Sequence, residues 1–159
     1  MLCSRGVKRI GLIADTHGLL RPEAVALLAG SDLIVHAGDI GHPGILDGLG
    51  ELAPVVAVRG NNDRGAWAAS LAETAVVECA GLACYVLHDL QALAIDPVAE
   101  GFGVVVSGHS HRAAIREERG VLYLNPGSAG PRRFKLPVSV VLLDITDGAP
   151  SARIEWIAV

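Results

Sequence analysis

The 159-residue sequence predicts an α/β fold in which a parallel half joins an antiparallel half, as two packed sheets with helices outside. Three observations predict it. Up to Gly60 (60 of 159 positions), short hydrophobic runs alternate with helical segments, the pattern of parallel βαβ units. After Gly60 the pattern shifts to hairpins. Several of the hydrophobic runs end on acidic, amide or histidine residues, as strands do when their carboxyl ends carry a site. The length falls within the roughly 100–200 residues of one domain, so residues 1–159 are read as a single domain with no linker or internal repeat.

Taken in order, Lys8–Ala14 reads as a buried strand. Pro22 suits the first turn of a helix running through Glu23–Ala29. Leu33–Ala37 is the next strand, Pro43–Leu52 the next helix, and Val55–Val58 follows as a strand. Ala75–Cys79 and Leu82–Leu87 flank a tight turn at Ala80-Gly81 and form a hairpin. A short helix is expected around Gln91–Glu100, although Pro97 interrupts it. Strands are expected at Val104–Ser107, near Ala113–Arg116, and at Val121–Leu124, Val138–Asp144 and Arg153–Ala158.

The strand ends carry the chemistry. They read Asp15-Thr16-His17, Gly38-Asp39, Gly60-Asn61-Asn62-Asp63, His88 and Gly108-His109-Ser110-His111. Asp-x-His on extended backbone puts both side chains on one side, because strands alternate with period 2. Singly, each motif also reads as a cap or turn. Jointly, they deliver carboxylate, amide and imidazole donors to neighbouring strand ends, where they can hold two divalent cations for hydrolysis at phosphorus. His36 reads as a buried, hydrogen-bonded strand residue and His42 as a loop residue near the cleft; neither is assigned as a ligand.

A net charge of −4 argues against nonspecific nucleic-acid binding, which normally needs a basic face. It does not exclude phosphate, because two divalent cations outweigh Asp15 and Asp39 locally. No apolar run approaches the roughly 18–20 residues of a membrane span. Met1–Lys8 also lack the apolar stretch of a signal peptide, so a cytoplasmic location is expected. Cys3, Cys79 and Cys84 are odd in number without CxxC spacing and read as reduced, partly buried thiols. Asn125-Pro126-Gly127-Ser128 is a turn by composition, with a lesser expectation that it walls a pocket. Arg132, Arg133 and Lys135 form a basic cluster beside it, read as solvated, with one arginine able to reach a phosphate.

In this order, D-x-H, G-D, G-N-x-D, H and G-H-x-H resemble the motifs of the calcineurin-like metallophosphoesterase superfamily, from Lys8 to about Asp144. The short length and the Leu124–Ser128 segment are similar to its small single-domain YfcE-like phosphodiesterase branch. The resemblance implies a four-layer αββα sandwich of two mixed sheets flanked by helices. It implies that Asp15, His17, Asp39 and His111 hold one metal, and that Asp39 bridges to a second held by Asn61, His88 and His109. Asn61 is also placed against the substrate. The implied reaction is attack by a dimetal-bound hydroxide on a small phosphate ester, with inversion. Manganese heads the candidate ions, with iron, cobalt, nickel and zinc as alternatives for a mixed nitrogen and oxygen set.

The chain departs from the family pattern twice. Many members have histidine at Asn62, where it assists the leaving group beside the acid that is here Asp63. Asn62 and Asp63 are therefore only minor catalytic candidates. The branch also often reads His-Gly-His around the fourth motif, whereas this chain has His88-Asp89-Leu90. The expected activity is phosphodiester hydrolysis. The alternatives are a phosphomonoesterase or nucleotide hydrolase with the same centre, or a non-enzymatic interaction scaffold of this fold. A homo-oligomer is compatible with the sequence.

Overall fold

The computed structural model describes residues 8–159 and the backbone of Leu2 and Cys3, which form two mixed sheets packed face to face. Strands β1 to β4 are Leu2–Cys3, Lys8–Ile13, Leu33–His36 and Val55–Ala57. Strands β5 to β9 are Thr74–Cys79, Leu82–Leu87, Val104–Val106, Ala114–Glu118 and Val121–Asn125. The last two, β10 and β11, are Val138–Thr146 and Ala149–Ile157. One sheet has the order β11-β10-β2-β3-β4 and the other β1-β5-β6-β7-β9-β8. Helices α1 to α4 are Pro22–Leu28, Pro43–Gly50, Ala66–Ala69 and Pro97–Glu100.

Alternation along β2 explains the layering. Ile10, Leu12 and Ala14 enter the core between the sheets, where Val86, Val104 and Leu124 meet them from the other side. Ile13 points the opposite way, into the layer formed with Ala24 and Leu28 of α1 and Leu49 of α2. Gly11 lies on that outer face, where a Cβ would stand 2.6 Å from Leu28 and 2.8 Å from Ser31. The glycine lets α1 settle onto the strand. Each fully buried Leu or Ile here contributes about 1.5–3 kcal/mol of apolar burial. On the far face of the second sheet, Leu87, Val105 and Val121 are covered by Leu90, Leu93 and Tyr123.

Parallel pairing of β2, β3 and β4 and of β6, β7 and β9 sets two groups of carboxyl ends facing one region. The antiparallel strands are shared between the sheets, β10 and β11 beside β2, β5 and β8 at the flanks of the other. The sandwich of two mixed sheets is thus present.

Four elements differ from expectation. The helix at Gln91–Glu100 is instead a 3-10 turn, Leu90–Ala92, and the separate α4. Asp89 caps the first by accepting from Gln91 N, and Asp96 caps the second by accepting from Val98 N. Two caps and a proline-restricted residue before Pro97 give two starts instead of one helix. β11 begins at Ala149, four residues before the expected Arg153, because the Asp147-Gly148 turn lets the hairpin pair along its whole length. β1 and α3 had no clear sequence signal. Cys79 and Cys84 are buried; the side chain of Cys3 lies outside the described residues. Among the described residues no helix is long and apolar enough to cross a membrane.

Candidate metal centre

The loops that follow the parallel strands are bonded to one another before any side chain is considered. Asp15 N donates to Gly38 O and His17 N to Asp39 O, each at 3.0 Å, which joins the loops after β2 and β3. Gly108 N donates to His88 O at 2.9 Å and joins those after β6 and β7. Other bonds cross between the sheets. His88 Nδ1–H donates to Ala37 O at 2.8 Å, and His109 N donates to Asp15 Oδ2 at 3.1 Å.

These loops are held in costly conformations. Asp15, His17, Asp39, His109 and His111 all have φ between 45° and 70°, five of the nine non-glycine residues at positive φ among the described residues. Non-glycine residues in that region cost about 1–3 kcal/mol each and cluster at functional sites. Small residues make the arrangement fit. A Cβ on Gly38 would stand 2.6 Å from the His88 ring, and one on Gly60 would collide with Asp39.

All seven sequence-predicted ligand residues come together, in two groups. The first is Asp15, His17 and His111. Asp15 Oδ1 lies 3.6 Å from His111 Nε2 and 4.0 Å from His17 Nε2. Asp15 Oδ1, His17 Nε2 and His111 Nδ1 are buried polar atoms without a hydrogen-bond partner. Such orphans are costly in a folded core unless an ion or water satisfies them. The second group is Asp39, His88 and His109. His88 Nε2 lies 3.4 Å from Asp39 Oδ2, 3.0 Å from Asn61 Oδ1 and 3.3 Å from His109 Nδ1. Asp39 Oδ2 is also 3.7 Å from His17 Nε2, so it stands between the groups.

The protonation preferences point the same way. Burial pushes the Asp15 carboxyl up to about 7 against the opposing pull of His88, and nearby Asp39 adds to the rise. Burial lowers His17, and burial with the charge of Arg133 lowers His111 to about 4, so both imidazoles are neutral at pH 7. Neutral imidazole is the metal-ligating form. For Asp39, burial would raise the carboxyl, but hydrogen bonds from His88 and Asn62 win and hold it well below the usual range. His88 is raised, since bonds to Asp39 and to Ala37 O outweigh its burial. Asp39 and Asn61 thus gather positive charge at His88 Nε2, which a proton or a metal cation can supply. The donor set fits divalent transition metals, with nitrogen and oxygen ligands in both groups.

Asn62 and Asp63 support the centre from outside. Asn62 donates from its backbone N to Asp39 Oδ1 and from Nδ2 to Asp39 Oδ2, both at 2.9 Å. Asp63 accepts from Gly41 N at 3.0 Å and Gly60 N at 2.8 Å, so its carboxylate ties two loops together. His36 is buried, as expected. Gly38 N donates to its Nδ1, so its Nε2–H donates to Thr16 Oγ1, which donates to Ile40 O. Burial lowers its pKa to about 3, and it stays neutral. His42 caps α2 through Gly44 N.

The Asn125–Ser128 turn does more than its composition indicated. Asn125 Nδ2 donates to Gly108 O at 3.0 Å and Ser128 Oγ to Asp15 O at 3.0 Å, bracing two ligand loops. Thr16, Asn125 and Ser128 were not singled out as supports, because their partners are remote in sequence.

Two grooves border the second group. One, of about 330 Å³, is lined in part by His109; the other, of about 430 Å³, in part by Asn61 and His88. Asp89 lines both.

Residues 9–148 match the family model described as the calcineurin-like phosphoesterase superfamily domain. A probable metallophosphoesterase of Methanothermobacter thermautotrophicus is 36% identical, over 91% of this chain and 95% of that protein. A solved structure of a novel archaeal phosphodiesterase superimposes with a TM-score of 0.78 at 21% identity, covering 92% of this chain and 99% of that one. Vps29 of Entamoeba histolytica, complexed with zinc, gives 0.74 at 24% identity, with 94% and 98% covered. At these identities the two structures show a shared fold.

Proposed function

Because the chain belongs to the calcineurin-like phosphoesterase superfamily, we propose that it is a phosphodiesterase dependent on two divalent metal ions. Asp15, His17 and His111 would hold one ion with Asp39, and Asp39, Asn61, His88 and His109 the other. When bound, such a pair polarises phosphoryl oxygens and lowers the pKa of water. Manganese is the leading candidate ion, with iron, cobalt, nickel and zinc as alternatives.

The chain's own residues do the rest. Asn62 keeps both oxygens of Asp39 oriented. Asn61 and His109 line the grooves that an ester would enter. Arg133 acts electrostatically on His17 and His111, so its positive charge is felt where a phosphate would arrive. The Asn62 amide is committed to Asp39 and is no acid, so the leaving group departs on its own acidity.

The observation that carries the diester reading is the pair of grooves bordering one group of ligands. A diester has two arms to seat, and a monoester has one. The test is metal analysis with turnover of bis(p-nitrophenyl) phosphate and of p-nitrophenyl phosphate. Faster turnover of the diester is expected. Faster monoester turnover would favour a phosphomonoesterase. Bound metal with no turnover of either ester would favour the scaffold reading, in keeping with the fold shared with Vps29.

A further inference from the structure

The groove lined by His109 has a cation the reaction centre does not use. Its walls include Leu90, Tyr123 and Leu124, and Arg112 and Arg116 line it as well. Arg116 is fixed: its guanidinium lies 4.5 Å over the Tyr123 ring and donates to Glu118 at 2.5 Å. A guanidinium held in this way presents a flat, rigid cationic face on which an aromatic group can stack. Arg112 is different. Its backbone N donates to Ser110 Oγ at 3.2 Å, and Ser110 Oγ also receives Asn125 Nδ2 at 3.1 Å, so its main chain is tied to the His109 loop. Among the described residues, no acceptor engages its guanidinium within hydrogen-bond or ion-pair distance. By contrast, Arg9, Arg59, Arg116, Arg119 and Arg153 each hold a carboxylate. The one acid lining the groove, Asp89, accepts from Gln91 N at 3.0 Å and turns its other oxygen towards His109 Nε2 at 3.9 Å.

We propose that this groove is the subsite for one ester arm, and that the arm is nucleotide-like: a flat aromatic ring with a phosphate of its own. The ring stacks against Arg116, and Arg112 takes the second phosphate. The inference rests on the phosphodiesterase reading. A volume of about 330 Å³ is at the lower end of the roughly 300–1,000 Å³ of small-ligand pockets, which suits a single nucleoside and not a polymer. The free guanidinium supplies charge-assisted, bidentate bonds to phosphate.

The test compares two substrates with the same leaving group: the p-nitrophenyl ester of thymidine 5′-phosphate, and the same ester carrying a 3′-phosphate. In the manganese-loaded protein the 3′-phosphate should lower KM about tenfold, the worth of one charge-assisted contact. Arg112→Ala should erase that ratio, and Arg112→Lys should keep part of it. Calorimetric titration with thymidine 3′,5′-bisphosphate against thymidine 5′-phosphate should show the same preference and the same loss without turnover. Equal affinities in the wild type, or a preference that survives Arg112→Ala, would overturn the proposal. Turnover of neither ester would end the phosphodiesterase reading, while the titration would still decide the groove.

Discussion

Asn62 grips both oxygens of Asp39, with its backbone N–H on Oδ1 and its side-chain amide on Oδ2, each at 2.9 Å. The carboxylate thus has one orientation, with Oδ2 towards His88 and His17. Asn62→Ala removes the Oδ2 contact and keeps the backbone one. Supports of this kind are typically worth about 10–100-fold in metal affinity. Chelator competition on the purified variant should show a loss in that range, and unchanged affinity would rule out the role.

The same commitment of Asn62 bears on the leaving group. General acid assistance is worth about 10²–10⁴-fold and matters most for basic alkoxides. Rates should therefore fall steeply as leaving-group pKa rises, with aryl diesters far ahead of alkyl ones. Asn62→His should flatten the slope if the new imidazole, with Asp63 behind it, reaches the departing oxygen. A flat wild-type series, with chemistry rate-limiting, would point to another acid.

His109 and His111 are two residues apart and belong to different groups. Manganese-loaded His109→Ala should lose anomalous signal near Asn61 and His88, and His111→Ala near Asp15 and His17. Asp39→Ala should reduce both signals and abolish turnover, because Asp39 Oδ2 stands between the groups. Loss of the same ion from both histidine variants would reject the assignment.

Asp15 makes the metal-free chain lose stability as pH rises from about 4 to about 7. Burial raises its folded pKa to about 7, well above the usual carboxylate range. A carboxyl raised on folding contributes stability below the unfolded value and loses it as pH rises through the folded one. His111, lowered to about 4, works in the opposite sense between pH 4 and 6.5. Above that window Asp15 dominates this pair. With chelator present, Asp15→Asn should be more stable than the wild type at pH 8, on the order of 3 kcal/mol. The gain should vanish near pH 4. Denaturant melts at the two pH values measure it, and equal stability at pH 8 would contradict the account.

Much of this centre was legible because hydrophobic runs marked the strands and ligand-type residues marked their ends. Asp15, Asp39, His88 and His109 follow runs whose buried alternation could be read directly. What the ligands' own backbones do could not be read. Asp15 and His111 have left-handed φ, a region Asp and His tolerate better than most residues but one that residue type alone does not dictate. Asp63 looked like a turn residue, and it is one; its bond to Gly41 links positions 22 apart in sequence. Arg112 gave no signal, since a cation before a strand usually faces water. The single helix expected around Gln91–Glu100 failed because periodicity alone does not weigh two aspartate caps against one helix.

Among the described residues strand β8 ends its sheet and pairs only with β9, and all five of its residues are exposed. Its other side is an open row of amide and carbonyl groups, the kind of template on which copies of a chain add strand to strand. Arg116, Glu117 and Glu118 place charge along that row, which is how natural edges resist such growth. Arg116 therefore has two duties that sequence changes cannot separate: facing the groove and keeping the edge unattractive to another edge. An Arg116→Val change would suit a strand in isolation and yet leave a stickier molecule. Its cost would show in solubility at high concentration as well as in kinetics.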